Sequence, residues 1–451
     1  MKKGWGKFFC VLTFVGCVVS TAGAAHADFL QDLDERLELS GDIMTMATYL
    51  TNYRGKGGDD GAIITRALVA LDSKITDTLL LRSELGYWQN WQHYRKTYHA
   101  SELEDAPESA DPVVANLYLQ LTDFWQGFSV TLGRQYMGEK EDAFFYYGPH
   151  SGRFLELTAI DAVKVDKNWA KINWSTFFGQ RAKMGTGIAM EGNYDELIYG
   201  LEAQTDEIFE GHNFRMGTYY RKRVDDTLGE KSNLVLWTLK GDGKTFIDNL
   251  AYAFLLGINA GEDDIANKDY AGWLARLKGD YSIKLEEDNA IDLNAGYVYV
   301  SGDKLASPGK DENFRRLGRD CFYSMAYITY EVLNDSYAED VVNVKIPFVG
   351  VEYSFGGKGE QMENKIYKEY GITTKDKITV GTRYALLDCV TAISGEKGKA
   401  TEANAYIKYE LNKNVSFQLV GARFWPRGYL EKVFKSGKPT NQVSLYTEVR
   451  F

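Results

Sequence analysis

The sequence contains no apolar run long enough to cross a membrane as a helix. Its longest apolar segment, residues 8–19, falls short of the roughly 20 residues that a membrane-spanning helix needs. No Pro/Ser-rich linker and no change of composition divides the 451 residues. We therefore expect one large folding unit instead of two or three domains. Histidine is scarce, with five residues, and no G-x-S-x-G motif is present, so we expect neither an enzyme nor a cofactor or metal site.

The beginning of the chain has the pattern of an export signal. Three lysines precede the apolar segment 8–19, and Ala25-His26-Ala27 has the A-x-A form that signal peptidases cleave. The sequence therefore predicts a cleaved signal peptide over residues 1–27. The mature domain is then expected to comprise residues 28–451 and to leave the cytoplasm.

Cleavage would change the charge and the cysteine content. It removes three of the 52 basic residues and none of the 63 acidic ones, which moves the net charge from −11 to −14. This charge argues against nucleic acid as a partner. Of four cysteines, only Cys321 and Cys389 would remain. Because the compartment outside the cytoplasm is oxidising, we predict a disulfide between them.

Alternating apolar and polar residues predict β-strands throughout the mature chain. In the segment 78–88, Leu79, Leu81 and Leu85 alternate with Arg82 and Glu84. The same pattern recurs in the segments 65–72, 113–121, 171–180, 290–300, 402–411 and 441–451. Segments of about ten residues with one apolar face suit a transmembrane barrel, which has lipid outside and water inside.

Three features favour a barrel over a soluble β-sandwich. Short connections such as 241–243 and 412–414 alternate with long polar ones, as turns and loops do in outer-membrane barrels. Tyrosine and tryptophan gather near strand ends, as in interfacial girdles. The final strand, which ends at Phe451, is expected to pair with the first strand and close the sheet.

The alternation predicts 18 antiparallel strands. Their expected starts lie near residues 35, 62, 78, 113, 128, 158, 171, 197, 213, 232, 249, 270, 290, 341, 376, 401, 415 and 441. The apolar stretch 321–333 has strand character, but counting it would break the even parity of such a barrel. We assign it to a long extracellular connection over 302–340, with the alternative that it is a strand.

At several places the chain resembles a known barrel family. The segments that carry the resemblance are "TLGRQYMG" (131–138), "AIDAVKV" (159–165), "ITVGTRYALL" (378–387), residues 402–432 and the closing "VSLYTEVRF". They are similar to the alginate-export type of outer-membrane barrel. That resemblance implies an 18-stranded monomer that passes an anionic polysaccharide through a lumen rich in basic residues.

The inward face is expected to determine the cargo. By alternation the basic residues there are Arg66, Arg82, Lys171, Arg215, Arg221, Arg276, Arg383 and Lys408, and all but Lys408 are candidate cargo contacts. Arg134 falls on the lipid side, where an arginine is costly, and the resemblance favours a lumenal role for it. Two arrangements remain open. The arginines either cluster into an anion-selective ring, or each pairs with an acid on a neighbouring strand. Inward aromatics such as Trp88, Tyr118 and Tyr219 either stack on sugar rings or simply pack.

These patterns together predict a monomeric channel in the bacterial outer membrane for a polar or anionic solute, with export of an alginate-like polysaccharide as one form of it. The alternatives are a general porin or a plugged barrel that acts as an adhesin. Expected partners are membrane lipid, lipopolysaccharide, and the barrel-assembly machinery through the strand that ends at Phe451. The connections 302–340 and 356–376 are candidate gates.

Overall fold

The structure is a computed structural model in which the described residues form an almost entirely β-stranded chain. The described ranges are 36–53, 58–95, 112–139, 144–149, 157–181, 194–209, 211–225, 231–264, 267–286, 289–303, 309–318, 343–356, 377–390, 398–412, 414–428, 431 and 437–451. Within these ranges no helix is both long and apolar enough to cross a membrane.

Eighteen antiparallel strands form one closed sheet. In chain order they are β1 (Leu37–Tyr53), β2 (Gly58–Thr76), β3 (Leu79–Arg95), β4 (Val113–Phe124), β5 (Phe128–Gln135), β6 (Ile160–Trp169), β7 (Ile172–Arg181), β8 (Tyr194–Phe209), β9 (His212–Asp225), β10 (Lys231–Lys244), β11 (Leu250–Asp263), β12 (Trp273–Glu286), β13 (Asn289–Val300), β14 (Val344–Gly356), β15 (Lys377–Cys389), β16 (Gly398–Asn412), β17 (Val415–Gly428) and β18 (Thr440–Arg450). Each strand pairs with the next along the chain.

The last strand closes the barrel on the first, as the sequence predicted. β1 and β18 pair antiparallel from Asp42 opposite Arg450 to Thr51 opposite Asn441. Next to this seam, the backbone of Gly41 exchanges two hydrogen bonds with Phe451, at 2.9 and 3.1 Å. Closure removes the unpaired edges that an open sheet would expose.

The faces of the barrel are arranged inside out relative to a soluble protein. Along β18, Val443 and Leu445 are 54% and 46% exposed, whereas Gln442 and Ser444 between them are 3% and 0% exposed. Apolar side chains therefore point outward and polar ones inward. This is the arrangement that a strand between lipid and a polar lumen requires.

The predicted strand starts agree closely with the structure. Every start lies within four residues of the observed one. The interpretation of residues 241–243 as a turn was wrong, because they continue β10 and the chain reverses over residues 245–249. The stretch 321–333 lies outside the described residues, so its assignment stays a prediction.

Short and long connections alternate between the two ends of the barrel, which we call the turn end and the loop end. At the turn end, the reversal between β6 and β7 uses Ala170 and Lys171 with φ of 53° and 64°. Two consecutive residues with positive φ form the turn that best matches strand twist. One connection at this end is long: residues 357–376, between β14 and β15, which lie outside the described residues.

Candidate functional site

Two loop-end connections enter the lumen and form a small sheet there. Met137–Gly138 and Leu317–Gly318 flank Phe145–Tyr147, which pairs antiparallel with the first and parallel with the second. We call these three short strands the inner sheet. They come from the connections after β5 and after β13, so two distant parts of the chain meet inside the barrel.

The inner sheet packs on the barrel wall through aromatic rings. Phe145 stacks on Tyr219 of β9 and Phe177 of β7, with ring centroids 4.7 and 5.2 Å apart. Phe144 fills the space that Gly257 of β11 leaves, since a Cβ there would lie 2.4 Å from the Phe144 ring. Phe144 and Phe145 are 0% and 1% exposed. Because these wall positions face inward, the inner sheet narrows the lumen.

Polar contacts anchor the connection after β5 to strands on both sides. The Tyr136 hydroxyl donates to Glu84 of β3 at 2.5 Å, and the Tyr147 hydroxyl donates to Glu196 of β8 at 2.6 Å. Burial and the adjacent carboxylate raise the pKa of each of these two phenols. Both phenols therefore keep their protons at neutral pH and stay hydrogen-bond donors. The anchors span the wall from β3 to β8.

The connection after β13 is held by a hydrogen bond to β11 and by one within the connection. The side chain of Asn259 donates to the backbone carbonyl of Arg315 at 2.8 Å, and the Ser301 hydroxyl donates to the carbonyl of Glu312 at 2.6 Å. Phe314 is fully buried and meets the Phe144 ring edge-on at 5.9 Å. Residues 309–318 are thus part of the same packed constriction.

A row of basic residues lies on the lumen wall at the level of the inner sheet. Arg215 of β9 is directly opposite Lys240 of β10, and both Lys240 and Arg276 of β12 are directly opposite Leu255 of β11. We call Arg215, Lys240 and Arg276 the basic row. Arg215 and Lys240 are direct cross-strand neighbours, whose Cβ atoms lie about 5 Å apart and whose like charges repel each other.

The basic row adjoins the inner sheet. A carboxylate oxygen of Glu139 lies 2.7 Å from the guanidinium of Arg215, which also donates to Gln204. The ammonium of Lys240 lies 5.9 Å from the centre of the Phe144 ring. The three cations and the Glu139 carboxylate thus lie together beside the inner sheet.

The other predicted arginines that face the lumen lie beside carboxylates. Arg82 is 2.7 Å from Asp72, Arg383 is 2.6 Å from Glu352, and Arg66 is 3.8 Å from Asp42. Near the loop end, Arg223 is 3.2 Å from Glu196, a carboxylate that also interacts with Arg181 and Arg221. These arginines are therefore paired with acids, which is one of the two arrangements considered from the sequence, and a ring that selects anions stays a prediction.

Two predicted lumen contacts lie elsewhere. Lys171 is exposed in the turn between β6 and β7, because the chain reversal uses it as a turn residue. Arg134 lies on the outer face near the loop end, where Asp161 accepts two hydrogen bonds from it at 2.8 and 3.0 Å. The position at the rim and the ion pair with Asp161 reduce the free-energy cost of an outward arginine. Because Arg134 points away from the lumen, the lumenal role suggested for it was wrong.

The predicted disulfide would join one cysteine that the structure describes to one that it does not. Cys389 is the last residue of β15 and is half-buried. Cys321 lies outside the described residues. Of the predicted aromatic contacts, Tyr219 and Trp88 are buried, at 1% and 5% exposure. Tyr219 packs against the inner sheet, which favours the packing interpretation.

Sequence reasoning missed two residues of the site. Lys240 shares the alternation of Leu234, Leu236 and Thr238, all of which are buried and face inward, so the pattern already placed it in the lumen. Lys240 was not recognised as a lumen residue because residues 241–243 were interpreted as a turn. No sequence pattern pointed to Glu139, because its contact with Arg215 depends on the inward path of the connection after β5.

Comparison with solved structures finds barrels of the same size and strand arrangement. A BenF-like porin from Pseudomonas fluorescens Pf-5 superposes with a TM-score of 0.58 at 11% identity, over 92% of this chain and 99% of that one. OccK2 (OpdF) from Pseudomonas aeruginosa gives 0.56 at 11% identity, over 92% and 98%. The chain has the fold of these porins. OprD of P. aeruginosa gives 0.51 at 11% identity, over 92% and 95%.

These neighbours correct the family suggested by the sequence. They are OprD and Occ porins, not alginate-export barrels, so the resemblance to the alginate-export type was wrong. The shared strand count and closing strand explain the error, since both are general properties of barrels of this size. No protein-family model and no curated protein matches the sequence.

Proposed function

We propose that the protein is an outer-membrane channel for small polar solutes, with a preference for anions set at the basic row. The closed 18-stranded barrel with an apolar outer face supports the membrane location. The constriction made by the inner sheet supports selectivity, because a solute that passes it comes close to wall side chains.

The basic row carries this proposal. Arg215 and Lys240 are directly opposite each other, Arg276 lies beyond Leu255 on the same level, and all three lie beside the constriction, where Glu139 contacts Arg215. An anion at this level relieves the repulsion between the three cations. A guanidinium binds a carboxylate through two parallel hydrogen bonds, so small carboxylates are the favoured cargo.

The test is the reversal potential in a planar bilayer under a potassium chloride gradient. We expect the purified protein to be anion-selective. The double substitution Lys240→Gln with Arg276→Gln removes two cations and leaves the Arg215–Glu139 contact intact. A unit charge at contact distance in water is worth about 1 kcal/mol, so each substitution is expected to lower the chloride-to-potassium permeability ratio about fivefold.

Lys171→Gln is the matched control, because it removes one cation from an exposed turn outside the lumen. It should leave the reversal potential unchanged. Cation selectivity of the unmodified protein, or equal effects of the lumen and control variants, would overturn the role of the basic row.

The tight packing of the inner sheet favours one second candidate, a plugged barrel. Phe144, Phe145 and Tyr147 are almost completely buried, as in a permanent plug. A plugged barrel would show no single-channel conductance under any of these conditions. Measurable conductance that depends on the basic row would exclude it.

A further inference from the structure

One sector of the outer face carries a row of charged residues at the loop end. The row crosses four adjacent strands, and each member is directly opposite the next: Lys345 of β14, Asp388 of β15, Lys399 of β16 and Arg427 of β17. We call these four residues the outer-rim row. Each lies one residue from the loop end of its strand.

The outer-rim row points away from the lumen. Its members alternate with inward residues that are nearly fully buried, namely Val344, Ile346, Leu387 and Ala400, at 0–3% exposure. Lys399 and Arg427 are exposed. Three cations and one carboxylate give the row a net charge of +2, and Arg423 adds another cation four residues below Arg427 on the same strand.

An apolar and aromatic band begins directly below the outer-rim row. Leu386 and Tyr384 of β15 are 46% and 45% exposed, and Val349 of β14 is 55% exposed. The guanidinium of Arg423 lies 5.2 Å from the Trp425 ring, and the ammonium of Lys345 lies 5.9 Å from the Tyr299 ring. Cations directly above an apolar band match a molecule with acyl chains and anionic groups at its head.

The other sectors of the described outer rim do not have this excess. Arg134 is neutralised by Asp161, and on β9 to β11 the cations Lys222 and Lys231 share the rim with Glu262. Within the described part of the chain, Lys399 and Arg427 form no ion pair. Adjacent strands are about 4.8 Å apart, so the row extends over roughly 14 Å, which is wide enough for two phosphate groups at opposite ends of a sugar head group.

We propose that the outer-rim row binds the phosphate groups of lipopolysaccharide in the outer leaflet. This inference rests on the membrane location in the proposed function, but not on the selectivity of the lumen. Lys399 and Arg427 would pair with one phosphate and Lys345 with the other, while the acyl chains lie against Leu386 and Val349. Guanidinium and ammonium groups are the side chains that bind phosphate most strongly.

The test compares lipid A binding to two matched variants in a non-ionic detergent. Bisphosphorylated lipid A is titrated into the full-length mature protein, and binding is followed by tryptophan fluorescence. The test variant is Lys399→Gln with Arg427→Gln. The control variant is Lys222→Gln with Lys231→Gln, which removes the same charge from the opposite part of the rim.

Each cation at a membrane surface contributes about a fivefold effect on binding of anionic lipid, and part of it is screened, so we expect affinity in the test variant to fall about tenfold. The control variant should bind like the unmodified protein, and lipid A without phosphates should not distinguish the three proteins. Equal affinity of the test variant and the unmodified protein would overturn the proposal, and so would equal weakening in both variants.

Channel measurements keep this inference distinct from the proposed function. The test variant changes only outward side chains, so its reversal potential should equal that of the unmodified protein. Loss of lipid A binding with unchanged selectivity supports the outer-rim row by itself. Failure of the selectivity test in the lumen leaves the lipid A result unaffected.

Discussion

Single residues shape the lumen wall as much by missing side chains as by charged ones. Gly257 of β11 leaves room for the Phe144 ring, and Gly200 of β8 leaves room for the ring of Phe177, the wall residue on which Phe145 stacks; a Cβ at Gly200 would lie 2.1 Å from the Phe177 ring. Overpacking a tightly packed site typically costs 1–3 kcal/mol, because rings or backbone must move. These glycines therefore fix how closely the inner sheet sits against the wall.

Gly257→Ala should loosen the inner sheet. The added methyl group meets the Phe144 ring at 2.4 Å, so the ring must move and its packing against Phe314 is lost. We expect a larger single-channel conductance with more open-channel noise, measured in a planar bilayer. Gly421→Ala is the control, because its Cβ would meet no atom within 4 Å; identical conductance in all three proteins would contradict this view.

At the scale of elements, the inner sheet depends on two phenol–carboxylate hydrogen bonds. Tyr136 binds Glu84 and Tyr147 binds Glu196, on wall strands β3 and β8. Glu84 and Glu196 are 4% and 3% exposed. A buried carboxylate that loses a hydrogen-bond donor carries a desolvation penalty of about 1–3 kcal/mol.

The double substitution Tyr136→Phe with Tyr147→Phe should detach the connection after β5 without creating a cavity. Glu84 keeps Arg82 and Glu196 keeps Arg223 as partners, so the barrel itself should stay folded. The measurement is limited proteolysis of the folded protein, followed by mass spectrometry. We expect faster cleavage within residues 136–159 and unchanged cleavage at other sites; an unchanged pattern throughout would show that the aromatic stacking suffices to hold the segment.

At the scale of the whole molecule, the barrel is defined by which face meets lipid. Leu419 of β17 is 48% exposed on the outer face, and its neighbour Gln418 faces the lumen. The two residues are neighbours on one strand at nearly the same depth, but one side chain faces lipid and the other faces the lumen. They provide a direct test of the inside-out arrangement.

Leu419→Arg should destabilise the protein by about 2–4 kcal/mol in vesicles, the usual cost of an arginine on the lipid face near mid-membrane. Gln418→Arg should change the free energy of unfolding much less, because water fills the lumen. The measurement is urea unfolding from lipid vesicles, followed by tryptophan fluorescence. Equal costs at the two positions would mean that the assignment of faces is wrong.

The strands could be predicted because each one carries its own pattern. Alternation in segments such as 78–88 and 441–451 depends only on neighbours in sequence, so strand starts and the outward face agree with the structure. Lys171 was misplaced because alternation does not say where a strand ends. Arg134 follows the alternation and points outward, and the resemblance to another barrel family misled us about its role.

The sequence by itself determined the closed 18-stranded barrel, its apolar outer face and its polar lumen, because these follow from local periodicity and from the need to pair every strand edge. Only the tertiary structure decided the constriction and the basic row. Phe145 meets Tyr219, and Glu139 meets Arg215, across more than 70 residues of chain. Such contacts depend on the path of two connections into the lumen, which no period in the sequence encodes.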